Sequence, residues 1–171
     1  MCHGKRVGVT SAIDALLESA ADWEERFEGT ASGVPARHVA IVTCMDARID
    51  PAAIFGLRPG EAHVLRNAGG IVTDDVLRSL VLSQRALGTR EVLLMHHERC
   101  GVDGLDELTL REEIAGEAGA EPSYGFEAFA GVEDAVRRAV ARVREHPFLP
   151  HRDAVRGFVY EVTTGALREV V

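Results

Sequence analysis

Two short apolar runs, the β-branched "HVAIVTC" at 38–44 and "EVLLMHHERCG" at 91–101, each end abruptly in polar, chemically reactive residues, and helical patterns lie between them. Apolar runs this short suit strands covered on both faces. "AHVLRNAGG" at 62–70 supplies another strand that closes on a glycine-terminated loop. "AAIFG" after Pro51 leaves room for a short helix. The segment 74–87, "DDVLRSLVLSQRAL", opens on acidic residues suited to a helix N-terminus, places Val76, Leu77, Leu80, Val81 and Leu87 on one face and stops at Gly88. Parallel neighbours need crossover connections, so strands alternating with helices predict a parallel α/β sheet. Functional loops of such sheets gather at the carboxyl ends of the strands, where Cys44 and His97 fall.

The flanks complete the expectation. Residues 11–28 read as a helix with Ser11 as N-cap, because Ile13, Leu16, Leu17, Ala20 and Trp23 recur at helical spacing before "EGTASGVP" breaks the pattern. From 104 to 130 the chain is rich in Gly, Glu and Ala with weak periodicity, and is expected to be irregular with at most one helix. "VEDAVRRAVARVRE" at 132–145 is a basic amphipathic helix whose charges suit a solvated face. "RGFVYEVTTGALREVV" reads as two strands around a Thr-Gly turn, an antiparallel extension at the sheet edge. At 171 residues one domain, 1–171, is expected. The predicted fold class is α/β, with a central, mainly parallel sheet flanked by helices, an antiparallel C-terminal edge and an N-terminal helix.

The formal net charge of −8 gives no basic footprint for nucleic acid or anionic lipid. No signal-like apolar core opens the chain and no apolar run is long enough to span a bilayer, so neither nucleic acid nor membrane is an expected partner, and the expected location is cytoplasmic.

Cys2, Cys44 and Cys100 are too few for a disulfide framework and more consistent with buried, catalytic or metal-bound thiols in a reducing compartment. His97-x-x-Cys100 is a short chelating bite, and parallel strands lying side by side would bring Cys44 to the same place. Cys2His is a known catalytic zinc set that leaves the fourth position for water or substrate. His96 competes with His97, because side chains alternate along a strand; His97 has the tighter bite, and His96 reads as a hydrogen-bonded packing histidine. Cys2 and His3 are the spare pair that would close a structural, non-catalytic zinc site. A cysteine-phosphatase loop is excluded, because Asp50 and Asp106 occupy the positions where a phosphate-clamping arginine is needed. The CxxC of a thioredoxin-like pair is absent. Asp46 could itself take the fourth metal position; Arg48, binding a carboxylate bidentately, could hold it off and leave that position to an attacking hydroxide. The bland alternative is a loop salt bridge.

"CMDAR", then "RNAGG", then "HHERCG" together resemble the β-class carbonic anhydrases. The resemblance runs at motif level from about residue 38 to 103, and the flanking helix and "RGFVYEVTTGAL" are similar to those of the small bacterial members. It implies zinc ligands at Cys44, His97 and Cys100, one Zn2+ per subunit, and an Asp46/Arg48 dyad that orients the zinc-bound hydroxide. Asp46 would then be a conditional fourth ligand in a closed state. The implied reaction is reversible hydration of CO2 to bicarbonate and a proton. It further implies a homodimer or multiples of one, with the 11–28 helix across the partner subunit. Asn67 and Gly101 are candidate substrate contacts; for Arg66 and Asn67 a purely structural loop role is an equal alternative. Glu98 and Arg99 depart from the small polar residues usual between the histidine and the second cysteine. Two other functions share the residues: hydrolysis of a related heterocumulene such as COS or CS2, and non-catalytic zinc binding.

Overall fold

Five strands form one sheet in the order β2-β1-β3-β4-β5 in the computed structural model, which describes residues 11–29 and 32–171. β1 (Val39–Cys44) lies between β2 (Ala62–Asn67) and β3 (Glu91–His97), parallel to both, with Cys44 opposite Asn67 and Thr43 opposite Met95. β4 (Val155–Tyr160) is parallel to β3, and only β5 (Leu167–Glu169) is antiparallel, against β4. The C-terminal pair is therefore a hairpin whose first strand belongs to the parallel core.

Alternation along the strands sorts the core. Ala40, Val42, Val92, Leu94 and Val155 face α3 (Asp74–Arg85) and α5 (Val132–Glu145), meeting Val76, Leu77 and Leu80 of the first and Ala139, Val140 and Val143 of the second. Valine is a mediocre helix former, costing up to ~0.7 kcal/mol relative to alanine. Burying each such side chain returns about 1.5–3 kcal/mol, so packing, not propensity, makes α5 a helix. Its arginines face outward, as a solvated basic face should: Arg137 pairs with Glu133 and Asp134. A second cluster gathers at the carboxyl ends of the strands, where Cys44, Ile49, Met95, Cys100, Phe129 and Ala135 are buried together, with Ile54 and Phe55 of α2 (Pro51–Phe55) packed against them. Thr43 stitches β1 to β3 from within, its Oγ1 donating to the Met95 carbonyl at 2.8 Å.

The 104–130 stretch contains α4 (Glu107–Ala118), capped by Asp106, whose side chain accepts from the Thr109 amide, and ended by Gly119 in the left-handed region at φ 71°. It buries no residue, which is why no apolar period marks it.

The described residues 11–29 and residues Ser32–Val171 form separate compact units. In the first, α1 (Ala12–Glu24) starts at a capping box between Ser11 and Asp14. Its apolar residues Ile13, Leu16, Leu17 and Trp23 are all more than half exposed, so the stripe is bare. No helix among the described residues is long and apolar enough to cross a membrane.

Candidate metal centre

Cys44 ends β1, His97 ends β3 and Cys100 follows on the turn after β3. Their two sulfurs and the imidazole donor lie within 4.8 Å of one another, and all three residues are buried. The imidazole is set for this cluster: Nδ1 donates to the Glu98 carbonyl at 2.9 Å, while buried Nε2 has no hydrogen-bond partner among the described residues. A histidine whose Nδ1–H is occupied by a carbonyl presents the Nε2 lone pair to a metal.

Charge favours a cation here. Burial pushes the Cys44 thiol up, but the His97 imidazole and the amides of Asp46 and Gly69 outweigh it and bring the thiol down to about 7. Burial, reinforced by the Cys44 charge, pushes the Cys100 thiol up. One thiolate forms readily and the second resists until a positive ion offsets it. Two thiolates and one imidazole match the donor chemistry of Zn2+, so these residues fit the metal.

The neighbouring segment is held from two sides. Arg48 grips both oxygens of Asp46, with Nε donating to Oδ1 at 2.9 Å and Nη2 to Oδ2 at 2.7 Å, and the Arg48 amide also reaches Oδ1 at 2.9 Å. These bonds hold the Asp46 carboxyl well below the usual carboxylate range. Oδ2 still lies only 3.8 Å from His97 Nε2. Arg48 Nη2 also donates to the Arg99 carbonyl at 3.1 Å, tying the dyad to the turn that carries Cys100. Arg99 adopts φ 56°, in the left-handed region. Glu98 is anchored through its amide to the Tyr160 carbonyl at 3.0 Å, and its carboxylate lies 3.9 Å from Arg168.

From the other side, Arg66 donates from Nε to the Cys44 carbonyl at 3.0 Å and from Nη2 to the Asp46 carbonyl at 2.8 Å. Its guanidinium is a clamp on the backbone between the thiol and the carboxylate. The sequence left its role open between loop support and substrate contact; the β1–β2 register, which sets Thr43 opposite Arg66, brings the guanidinium to these carbonyls. Asn67 is likewise committed within the loop, its amide exchanging two 2.8 Å hydrogen bonds with Ile71. Gly101 is exposed, and a Cβ there would meet nothing within 4 Å.

His96 is buried as expected, but it is not hydrogen-bonded. Neither ring nitrogen has a partner among the described residues, and the ring meets Phe129 edge-on at 5.7 Å. Apolar packing replaces the expected polar contact, and burial lowers its pKa to about 4, keeping the ring neutral. Cys2 and His3 lie outside the described residues.

Residues 39–120 match a family described as carbonic anhydrase. Over 160 residues the chain is 43% identical to beta-carbonic anhydrase 1 of Mycobacterium tuberculosis, covering 94% of this chain and 98% of that protein. It is 31% identical to a carbon disulfide hydrolase of an Acidianus species, covering 94% and 90%. The crystal structure of a carbonic anhydrase from Streptococcus mutans superposes with a TM-score of 0.88 at 37% identity, covering 96% of this chain and all of that one.

Proposed function

The chain belongs to the β-carbonic anhydrase family, and we propose that it hydrates CO2 reversibly to bicarbonate and a proton on a zinc ion held by Cys44, His97 and Cys100. The observation that carries this reading is the convergence of two thiols and an unpartnered Nε2 beside a carboxylate gripped at both oxygens. Zinc, when bound, supplies the Lewis acidity that turns water into a nucleophile near neutral pH.

The chain's own residues orient that water. Asp46 stays ionised and accepts only, so an oxygen of this carboxylate takes a hydrogen bond from the attacking water and aims its lone pair at the substrate carbon. Arg48 fixes the carboxylate plane and holds it from swinging onto the metal, the movement that would close the site. The apolar neighbours Ile49, Met95 and Phe129 form a dry wall suited to a linear, uncharged substrate. Asn67, through the loop it braces, supports this wall, and Gly101 leaves an open approach beside Cys100.

Stopped-flow hydration by metal-analysed protein from pH 7 to 9, with Asp46→Ala alongside, tests the proposal. A zinc-loaded chain no faster than buffer would end it. A second reading is supported by the carbon disulfide hydrolase relative: the same centre hydrolysing COS or CS2. Rates on CO2 and COS, measured on one preparation, separate the two.

The bare stripe of α1 supports assembly as a homodimer or multiples of one, with α1 across the partner. Light scattering coupled to size exclusion, with and without Leu16→Glu, tests this; a monomeric unaltered chain would exclude it.

A further inference from the structure

We infer that Cys44 and Cys100 form an intramolecular disulfide when the chain is metal-free, so that an oxidant such as a peroxide locks the site against zinc. This rests on reading the pair as metal ligands. Both cysteines are free and buried, and their sulfurs lie within 4.8 Å of each other.

The two residues are buried in one cluster but sit on different elements, one on a strand and one on a turn. Cys44 is fixed: it ends a central strand, Arg66 holds its carbonyl, and Gly70 packs directly on its amide. Cys100 sits on a turn between Arg99, in the left-handed region, and Gly101, around which there is open space. The tie from this turn to the dyad is the bond from Arg48 Nη2 to the Arg99 carbonyl. The Cys100 carbonyl accepts from the Asp103 amide at 3.1 Å, so closure to an S–S bond of about 2.05 Å combines side-chain rotation with a small shift of the turn into the open space at Gly101.

The chemistry balances with a peroxide as the two-electron oxidant. The Cys44 sulfur attacks one peroxide oxygen, the O–O bond breaks, and the departing hydroxide leaves as water with the thiol proton. The resulting sulfenic acid is attacked by the Cys100 sulfur, which forms the S–S bond and expels a second water. Two thiols and one H2O2 become one disulfide and two waters. A bound metal occupies both sulfurs and opposes the first step.

The test uses the whole chain carrying Cys2→Ser, so that only Cys44 and Cys100 remain. Zinc-stripped, reduced protein given one equivalent of H2O2 should lose about 2 Da, yield a peptide pair joining residues 44 and 100 that is seen only without reductant, and drop from two titratable thiols to none. Zinc uptake should be blocked and restored by dithiothreitol, and zinc-loaded protein should oxidise at least about tenfold more slowly. Gains of oxygen without the 2 Da loss, disulfide-linked dimers, or equal rates with and without zinc would each overturn the inference. Reversible disulfide formation in a chain that never binds zinc would leave the disulfide standing and refute the metal reading instead.

Discussion

Gly70 lies against Cys44 so closely that a Cβ on the glycine would fall 2.9 Å from the Cys44 amide nitrogen and 3.0 Å from the Thr43 carbonyl carbon. Both contacts are backbone and cannot give way, and Gly70 also stands at φ 68°, in the region L side chains avoid. Gly70→Ala is therefore expected to push the end of β1 away and lower stability by about 1–3 kcal/mol. The measurement is urea unfolding together with zinc affinity by chelator competition. A variant with unchanged midpoint and unchanged zinc affinity would refute the packing role.

Arg48 sets the charge and direction of Asp46. Arg48→Ala removes both bonds to the carboxylate oxygens, so the Asp46 carboxyl should rise from its depressed value toward the ordinary ~3.9 of an aspartate. Hydration should fall by roughly 10–100-fold, with Arg48→Lys intermediate because an ammonium cannot make the paired bonds. Pre-steady-state hydration and NMR of the Asp46 side-chain carboxyl carbon report the two effects. Equal activity in all three proteins would reduce the pair to a loop salt bridge.

The parts legible in the sequence and the parts that were not differ in where their determinants lie. The convergence of Cys44, His97 and Cys100 could be read because they stand at or just past strand ends marked by local pattern. α4 could not, because it buries nothing; its order comes from distant partners, the Glu107 carboxylate accepting from the Phe126 and Ala128 amides and Arg111 donating to the Tyr124 and Pro122 carbonyls. Arg66 was ambiguous for a related reason: its acceptors are carbonyls about twenty residues earlier, brought near only by strand pairing. The C-terminal turn and its antiparallel return were readable, whereas the other neighbour of β4 was not, since β4 pairs with β3 across the long segment that carries α4 and α5.

The edge of the sheet should be acid-sensitive. Arg156 grips Glu169 with Nε and Nη2 at 2.7 and 2.6 Å, across the pairing of β4 with β5. The Arg156 side chain holds the Glu169 carboxyl below its ordinary value. A depressed folded value means the contribution is present above the unfolded pKa of ~4.3 and is lost as pH falls through the folded one, while the arginine stays charged. The Arg156 side-chain N–H signals should therefore lose protection only in acid, and Glu169→Gln should abolish that transition. A transition at the same pH in the glutamine variant would assign it elsewhere.

Arg66 offers the sharpest separation of scaffold from proposed chemistry, because its side-chain hydrogen bonds among the described residues go to the backbone carbonyls of Cys44 and Asp46 and not to their side chains. Arg66→Gln leaves both carbonyls short of a donor and frees the segment carrying the first thiol and the dyad. Outer partners of metal ligands are commonly worth 10–100-fold in affinity, so zinc binding should weaken by about that factor. A metal that binds the folded chain stabilises it by mass action, so on the proposed zinc reading the variant's melting temperature should respond less to added zinc than that of the unaltered protein. At saturating zinc the hydration rate should recover substantially, since the ligands and Asp46 are intact. A variant that binds zinc normally yet stays slow at saturation would instead place the Arg66 guanidinium in contact with substrate.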